Sequence, residues 1–236
     1  MCHVSCIIFG AKSLSKEEIA GKEVLEAGSY DVNGTLRPLL ESYGPKEYVG
    51  TDIMHGPGVD IVCDAEDLVK HFGDKKFDVI VSTEMLEHAK DWQQVISNLK
   101  NVAKPGAIFL LTTRSYGFAY HAYPHDYWRY EKEDMENIFS DMEILDIEKD
   151  KMAPDIFLKL RKPKNFKERK LGDYNLYSIV TDTKITHVSD GDYKNPYFHK
   201  LRIKMQVNHL IYKVENTLKS LIKFLISSGN KADSLS

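Results

Sequence analysis

Lys22 to Leu36, KEVLEAGSYDVNGTL, is the stretch whose reading decides the fold. Val24 and Leu25 form a short apolar run that ends in Glu26. The chain then breaks into a loop with Gly28 and Gly34 before a helix-like segment begins. A strand, a tight turn and a helix start in that order make a cradle for a small polar ligand. Glycine lets backbone come close, and the unpaired N–H groups of a helix N-terminus favour a carboxylate or phosphate. The spacing is not G-x-G-x-x-G, because the second glycine stands six residues after the first.

Working outward, Ser15 and Glu18 form a capping box that starts a short helix before a first strand at Glu23 to Glu26. Thr35 to Tyr43 reads as a helix with Leu36, Leu39 and Leu40 on one side and Pro38 in its first turn. Glu47 to Ile53 reads as a second strand, and His55 to Gly58 as a loop by composition. Asp60 to Cys63 is extended, and Glu66 to His71 is helical until Gly73. FDVIVS, Phe77 to Ser82, is a buried strand by its β-branched run. Apolar residues at Trp92, Val95, Ile96, Leu99 and Val102 predict a helix over Asp91 to Ala103. Pro105-Gly106 then turns the chain into a buried strand at Ala107 to Thr112. Strands alternating with helices predict a mostly parallel α/β sheet with right-handed crossovers, and a ligand beyond the carboxyl ends of its strands.

Several ordered pieces resemble one family. Glu26-x-Gly28 and Gly34 resemble motif I of class I S-adenosylmethionine-dependent methyltransferases. FDVIVSTEMLEHAKDW, Phe77 to Trp92, is similar to motif IV of their type 11, ubiquinone/menaquinone-methyltransferase-like branch. Lys104-Pro105-Gly106 stands where that family often has Leu-Lys-Pro-Gly-Gly. The resemblance, running from about Glu23 to Thr113, implies a Rossmann-like seven-stranded sheet closed at one edge by an antiparallel hairpin, here Glu143 to Glu148 and Asp155 to Leu160. It implies S-adenosyl-L-methionine as cofactor. Glu26 would face the methionine ammonium, and Gly28 and Ser29 its carboxylate. Asp52, beside Ile53, would accept the ribose hydroxyls. Asp64 and Ala65 would meet the adenine, and Ser82, Thr83 and Glu84 would line the methionine end. Tyr30-Asp31 replaces the small residues usual in this loop and Gly34 sits one position late, so the contacts of Tyr30 to Asn33 are left open. Taken alone, Asp52 also reads as a turn residue and Asp64 as a helix N-cap.

The acceptor is expected to meet the loop at residues 114–130. An alcohol acceptor needs a base near its hydroxyl, and His121, His125, Asp126 and His88 are the candidates. Tyr116, Tyr120, Tyr123, Tyr127 and Trp128 could stack on a ring, and Arg114 and Arg129 could clamp a phosphate or carboxylate. Any one of these residues could equally belong to a packed aromatic edge. Tyr123 to Tyr130, YPHDYWRY, resembles a Y-P-x-D-Y-W-R-[FY] segment of methyltransferases in polysaccharide and deoxysugar pathways. That resemblance implies O-methylation of a small polar acceptor such as a sugar or sugar nucleotide. The alternatives are another acceptor (a small acid, a lipid-linked group or a protein side chain) and a non-catalytic cofactor- or nucleotide-binding module.

The chain has 236 residues, a formal net charge of −3 and three cysteines. Three thiols make no disulfide framework, and no apolar run approaches the ~18 residues of a membrane span, so a cytoplasmic chain is expected. Its charge gives no general pull toward nucleic acid. Cys2, His3 and Cys6 lack a nearby fourth ligand and read as reduced thiols beside Ile7, Ile8 and Phe9, so no metal is expected there. The expected division is a methyltransferase domain at 1–162 and a charged extension at 163–236. The extension carries a basic amphipathic helix over residues 199–226, with Val207, Leu210, Ile211, Val214, Leu218, Leu221, Ile222 and Leu225 on its apolar side. That helix suits docking on its own domain, a homodimer contact or a membrane surface.

Overall fold

A computed structural model describes residues 3–122 and 124–232, with side chains inside the last helix described as far as residue 219. The first helix, α1 (Val4–Ser13), was not foreseen. His3 caps it by accepting from the Ser5 N–H at 3.2 Å, and it buries Cys6 and Phe9. α2 (Lys16–Ile19) starts on the expected Ser15/Glu18 capping box. β1 (Glu23–Ala27) follows, then α3 (Arg37–Ser42), two residues later than expected and with Pro38 in its first turn. β2 (Glu47–Asp52) and the two-residue β3 (Ile61–Val62) lead to α4 (Leu68–Phe72), which ends at Gly73 with φ 56°.

β4 (Phe77–Thr83) is buried along nearly its whole length. α5 (Trp92–Val102) is capped by Asp91 and buries Trp92, Val95, Ile96, Leu99 and Val102, the residues whose spacing predicted it. β5 (Ala103–Arg114) is longer than expected. Lys104, Pro105 and Gly106 lie within the strand, because Ala103 already pairs with Phe77 before an irregularity in register. Lys104 reaches both Glu23 at 2.6 Å and Asp78 at 2.9 Å, which holds this irregular start against the amino ends of β1 and β4.

β6 (Trp128–Arg129), α6 (Lys132–Ile138), β7 (Glu143–Lys149) and β8 (Asp155–Arg161) come next. Within the segment expected only as a charged extension lie β9 (Leu176–Ser178) and β10 (Thr183–Ile185). The main sheet has the order β3-β2-β1-β4-β5-β8-β7. Its first five strands run parallel, and β8 is antiparallel to both β5 and β7. This is the expected α/β sheet of seven strands with an antiparallel hairpin at one edge. A second sheet, β10-β9-β6, is antiparallel and ties residues 176–185 to the loop that carries Trp128.

The chain divides into two compact units, Met1–Val188 and Ser189–Ser236, so the boundary expected at 162 falls inside the first unit. The physical reason is the pairing of β9 with β6. The second unit contains α7 (Pro196–Ala232), on which Val207, Leu210, Ile211, Val214 and Leu218 are all about half exposed. The side chains of Leu221, Ile222 and Leu225 lie outside the described residues. Among the described residues no helix is long and apolar enough to cross a membrane.

Phe109 is fully buried in the centre of β5, paired with Ile80 on one side and Leu160 on the other. Phe109→Ala should lower stability by about 3–5 kcal/mol, read as a fall in the urea midpoint at constant slope. A loss below about 1 kcal/mol would contradict a packed centre at this position.

Candidate active site

The carboxyl ends of β1, β2 and β4 open on a cavity of about 500 Å³. Gly28 forms its floor. It has φ +79°, and an added Cβ would lie 2.6 Å from Met85 Cβ and Cγ, so this turn admits glycine for both conformational and steric reasons. Tyr30, Asp52 and Ile53 line one wall, and Cys63, Asp64 and Ala65 continue it. Tyr30 can lie there because its ring packs over Gly56, where a Cβ would meet the ring at 2.1 Å. Asp52 accepts from the Tyr30 N–H at 3.3 Å and the Met54 N–H at 2.9 Å, which fixes its carboxylate at the strand end. Asp64 accepts from the Glu66 N–H at 2.9 Å, so it acts as a helix cap and also lines the cavity.

Five other residues assigned to this site by resemblance do not line it. Ser29, Ser82 and Thr83 are buried behind it, and the Gly34 N–H closes its own loop on Asp31 Oδ1 at 2.8 Å. Glu26 is also buried and accepts from the Tyr48 hydroxyl at 2.8 Å. Burial pushes the Glu26 carboxyl up to about 7, with the Tyr48 hydrogen bond and Arg37 working against the rise.

The opposite wall is Glu84, Met85, His88, Ala89, Lys90, Ala122, His125 and Tyr127. Glu84 has φ 54°, a left-handed conformation rare for glutamate, held by its N–H donating to the Thr112 carbonyl at 2.9 Å. Such strain gathers at sites where the position of a side chain matters. Behind Glu84 lies a buried ionic network. Arg114 Nε is 2.7 Å from Glu84 and 3.6 Å from Glu87, and its Nη1 bonds Asp155 at 2.8 and 2.9 Å. His3 also reaches Asp155. Burial, with Glu87 beside it, raises the Glu84 carboxyl far above the carboxylate range. Burial also pushes Glu87 up, but His88 and Arg114 outweigh it and hold Glu87 below its ordinary value.

This network corrects several expectations. Arg114 and Arg129 are buried and taken up by carboxylates, so neither is presented to a phosphate. Arg129 forms a two-pronged pair with Asp126 at 2.6 and 2.9 Å and also donates to the Phe118, Ala119 and Trp128 carbonyls. Asp126 does not line the cavity. Burial would raise its carboxyl, but Arg129 and His121 hold it far below the usual range, which makes it a poor proton acceptor. Trp128 is buried and donates to the Ala89 carbonyl at 2.9 Å, and Tyr120 is buried too. Tyr116 is exposed and packs edge-on against Tyr177. Tyr123 and Cys2 lie outside the described residues. His88, His125 and Tyr127 remain at the cavity wall. Burial lowers the His88 pKa, partly offset by Glu87, and His125 Nδ1 lies 3.0 Å from the Tyr127 hydroxyl. Sequence reasoning missed, among others, Thr51, Cys63, Met85 and Lys90. Met85 directly follows the assigned Glu84, and Cys63 directly precedes Asp64.

A parallel α/β sheet with an antiparallel edge pair and a glycine-floored cavity at its carboxyl ends defines a class I methyltransferase fold. Residues 10–148 match the family described as "Methyltransferase domain", which is more than half of the chain, and the chain belongs to that family. Among solved structures it is similar to 1,6-didemethyltoxoflavin-N1-methyltransferase of Burkholderia thailandensis, crystallised with its acceptor and S-adenosylhomocysteine. The TM-score is 0.53 at 14% identity, over 67% of this chain and 76% of that one. An S-adenosylmethionine-dependent methyltransferase of Mesorhizobium loti matches with a TM-score of 0.50 at 15% identity, over 64% and 95%. These likenesses carry the fold. No curated protein sequence matches.

Gly28→Ala should drive its new methyl into Met85 and weaken cofactor binding at least ~10-fold by calorimetry, and the strained left-handed turn should lower the unfolding midpoint as well. Glu26 gives a pH test. Its folded pKa of about 7 lies above the ordinary 4.5, so the stabilising form is the protonated one. That contribution is full below about pH 4.5 and is lost as pH rises through about 7. The stability of wild type relative to Glu26→Gln should therefore fall by about 3 kcal/mol across that window and then level off. A difference independent of pH would show that Glu26 is already ionised in the fold.

Proposed function

We propose that the chain is an S-adenosylmethionine-dependent methyltransferase that methylates a hydroxyl of a small polar acceptor, a sugar or sugar nucleotide. The observation that carries this reading is one continuous cavity. Gly28 lies at its floor, Asp52 and Asp64 stand on one wall, and His88, His125 and Tyr127 on the other.

The donor set fits the cofactor. Asp52 keeps acceptor capacity for two ribose hydroxyls, Asp64 and Ala65 on the same cavity wall would meet the adenine edge, and Met85 with Gly28 would shape the methionine end. When bound, S-adenosylmethionine supplies an electrophilic methyl group on a sulfonium sulfur. The chain then has to hold the acceptor oxygen in line with that methyl and remove its proton. His125 is suited to the second task. In the tautomer whose Nδ1–H donates to the Tyr127 hydroxyl oxygen, Nε2 keeps the lone pair that a base needs. Sugar specificity rests on the resemblance of Tyr123 to Tyr130 to polysaccharide-pathway enzymes and on the polar character of His125 and Tyr127. The buried Trp128 and Arg129 support the loop from within.

His125→Ala should lower turnover by at least ~100-fold, within the range of general-base catalysis, while cofactor affinity stays within a few-fold. Asp52→Ala should do the reverse, weakening cofactor binding while leaving more of the turnover at saturating cofactor. The assay is methyl transfer to a panel of hydroxylated metabolites, sugar nucleotides included. Product on small acids, lipid-linked groups or protein side chains alone would replace the sugar reading. Tight cofactor binding with no product at all would favour a non-catalytic binding module.

A further inference from the structure

Beneath the acceptor wall, three potential ligand atoms converge, and those of Glu87 and His121 are buried without hydrogen-bond partners. One atom each from Glu87, His88 and His121 lies within 4.8 Å of the other two, and no ion is present to explain the grouping. Glu87 is fully buried. Its Oε2 accepts from the Thr113 hydroxyl at 2.8 Å, while Oε1 has no hydrogen-bond partner and lies 3.7 Å from His88 Nε2. The His88 Nδ1 meets the backbone carbonyl of His125, which fixes the ring with Nε2 turned toward Glu87. His121 Nδ1 lies 2.9 Å from Asp126 Oδ2 without hydrogen-bond geometry, and its Nε2 is likewise buried with no hydrogen-bond partner. The two imidazole rings stand 4.9 Å apart, tilted edge to face.

In His121 neither ring nitrogen makes a hydrogen bond, while in Glu87 and His88 one polar atom is anchored and another is left over. Metal-binding histidines show this pattern, with one ring nitrogen donating to a carbonyl or carboxylate while the other binds the ion. Leaving a buried carboxylate oxygen unpaired is costly unless a positive group comes to it. The guanidinium at 3.6 Å serves Glu87 only in part, because Arg114 is shared with Glu84 and Asp155. Three acidic side chains thus face one arginine.

We propose that Glu87, His88 and His121 form a two-histidine, one-carboxylate site for a divalent transition-metal ion, with an open coordination position on the cavity side. His88 lines the cavity, so an oxygen of the acceptor could complete the shell from there. Imidazole and carboxylate together suit Zn²⁺, Mn²⁺, Fe²⁺ or Co²⁺, and three protein ligands leave room for a substrate atom. Ligands on one such ion sit about 3–4 Å apart, so a pair at the 4.8 Å limit has to close by about 1–2 Å. An acceptor hydroxyl bound there would be acidified, its proton passing to His125 or to water. This role extends the methyl-transfer reading, but metal binding itself does not depend on that reading.

The test uses tag-free full-length protein, stripped with chelator and titrated with Co²⁺ and Zn²⁺ alone, with no acceptor or cofactor added. One equivalent per chain is expected, with visible d–d bands for Co²⁺ and binding at least ~10-fold weaker in both His121→Asn and Glu87→Gln. Glu87 is buried and its substitution could unfold the chain. His121→Asn on the loop is therefore the deciding variant, with its fold checked by circular dichroism in chelator. Absence of stoichiometric binding, or binding that His121→Asn leaves unchanged, overturns the site. Binding abolished by Cys6→Ser but not by His121→Asn would place the ion at His3, Cys6 and Glu84 and would overturn it as well. Failure of methyl transfer with the metal bound would count against the proposed reaction and not against the site.

Discussion

The buried guanidinium of Arg114 organises the site. It comes from the last residue of β5 and is shared by Glu84 and Glu87, just past β4, and by Asp155 at the start of β8. Its plane also covers the Phe118 ring, at 3.9 Å from the centroid. Removing one partner from such a cluster leaves an uncompensated buried charge, which costs far more than the pair contributes when whole. The strained Glu84 backbone, the antiparallel return of β8 and the start of the loop at residues 114–130 therefore hold one another in place. Asp155 also receives His3, which brings the first helix into the same network.

This arrangement separates two jobs within one short stretch. Arg114, Asp126, Trp128 and Arg129 build the frame, and His88, His125 and Tyr127 are left facing the cavity. The Asp126–Arg129 pair closes the loop on itself, which gives residues on either side of it defined positions without secondary structure. The small sheet of β6, β9 and β10 adds backbone hydrogen bonds from residues more than forty positions away. A site on a loop thereby gains some of the rigidity of a site on a strand.

The legible parts of the chain were those with local signals. Continuous apolar runs marked β4 and the core of β5, and the three- and four-residue spacing of Trp92, Val95, Ile96, Leu99 and Val102 marked α5. The glycine loop and the acids at the ends of β2 and β3 placed one wall of the cavity. The other wall was harder because its roles depend on distant partners. Nothing within a few residues of Arg114 shows that Asp155, 41 positions on, will occupy it. The Asp126–Arg129 spacing of three is a local hint that the pair neutralises itself. β6, β9 and β10 are too short to leave a periodic pattern, and α1 is a run of small and apolar residues with no acid in its first turn.

The two ends of the main sheet have a consequence for how copies of the chain could meet. At one edge β3 is only two residues long, and at the other β7 carries Glu143, Asp146, Glu148 and Lys149 along a half-exposed strand. A short edge and a charged edge both discourage a neighbour from adding a strand to the ladder. The sheet therefore resists propagation into edge-to-edge aggregates from either side, and self-association would have to use side chains on a helical or loop surface instead of open backbone.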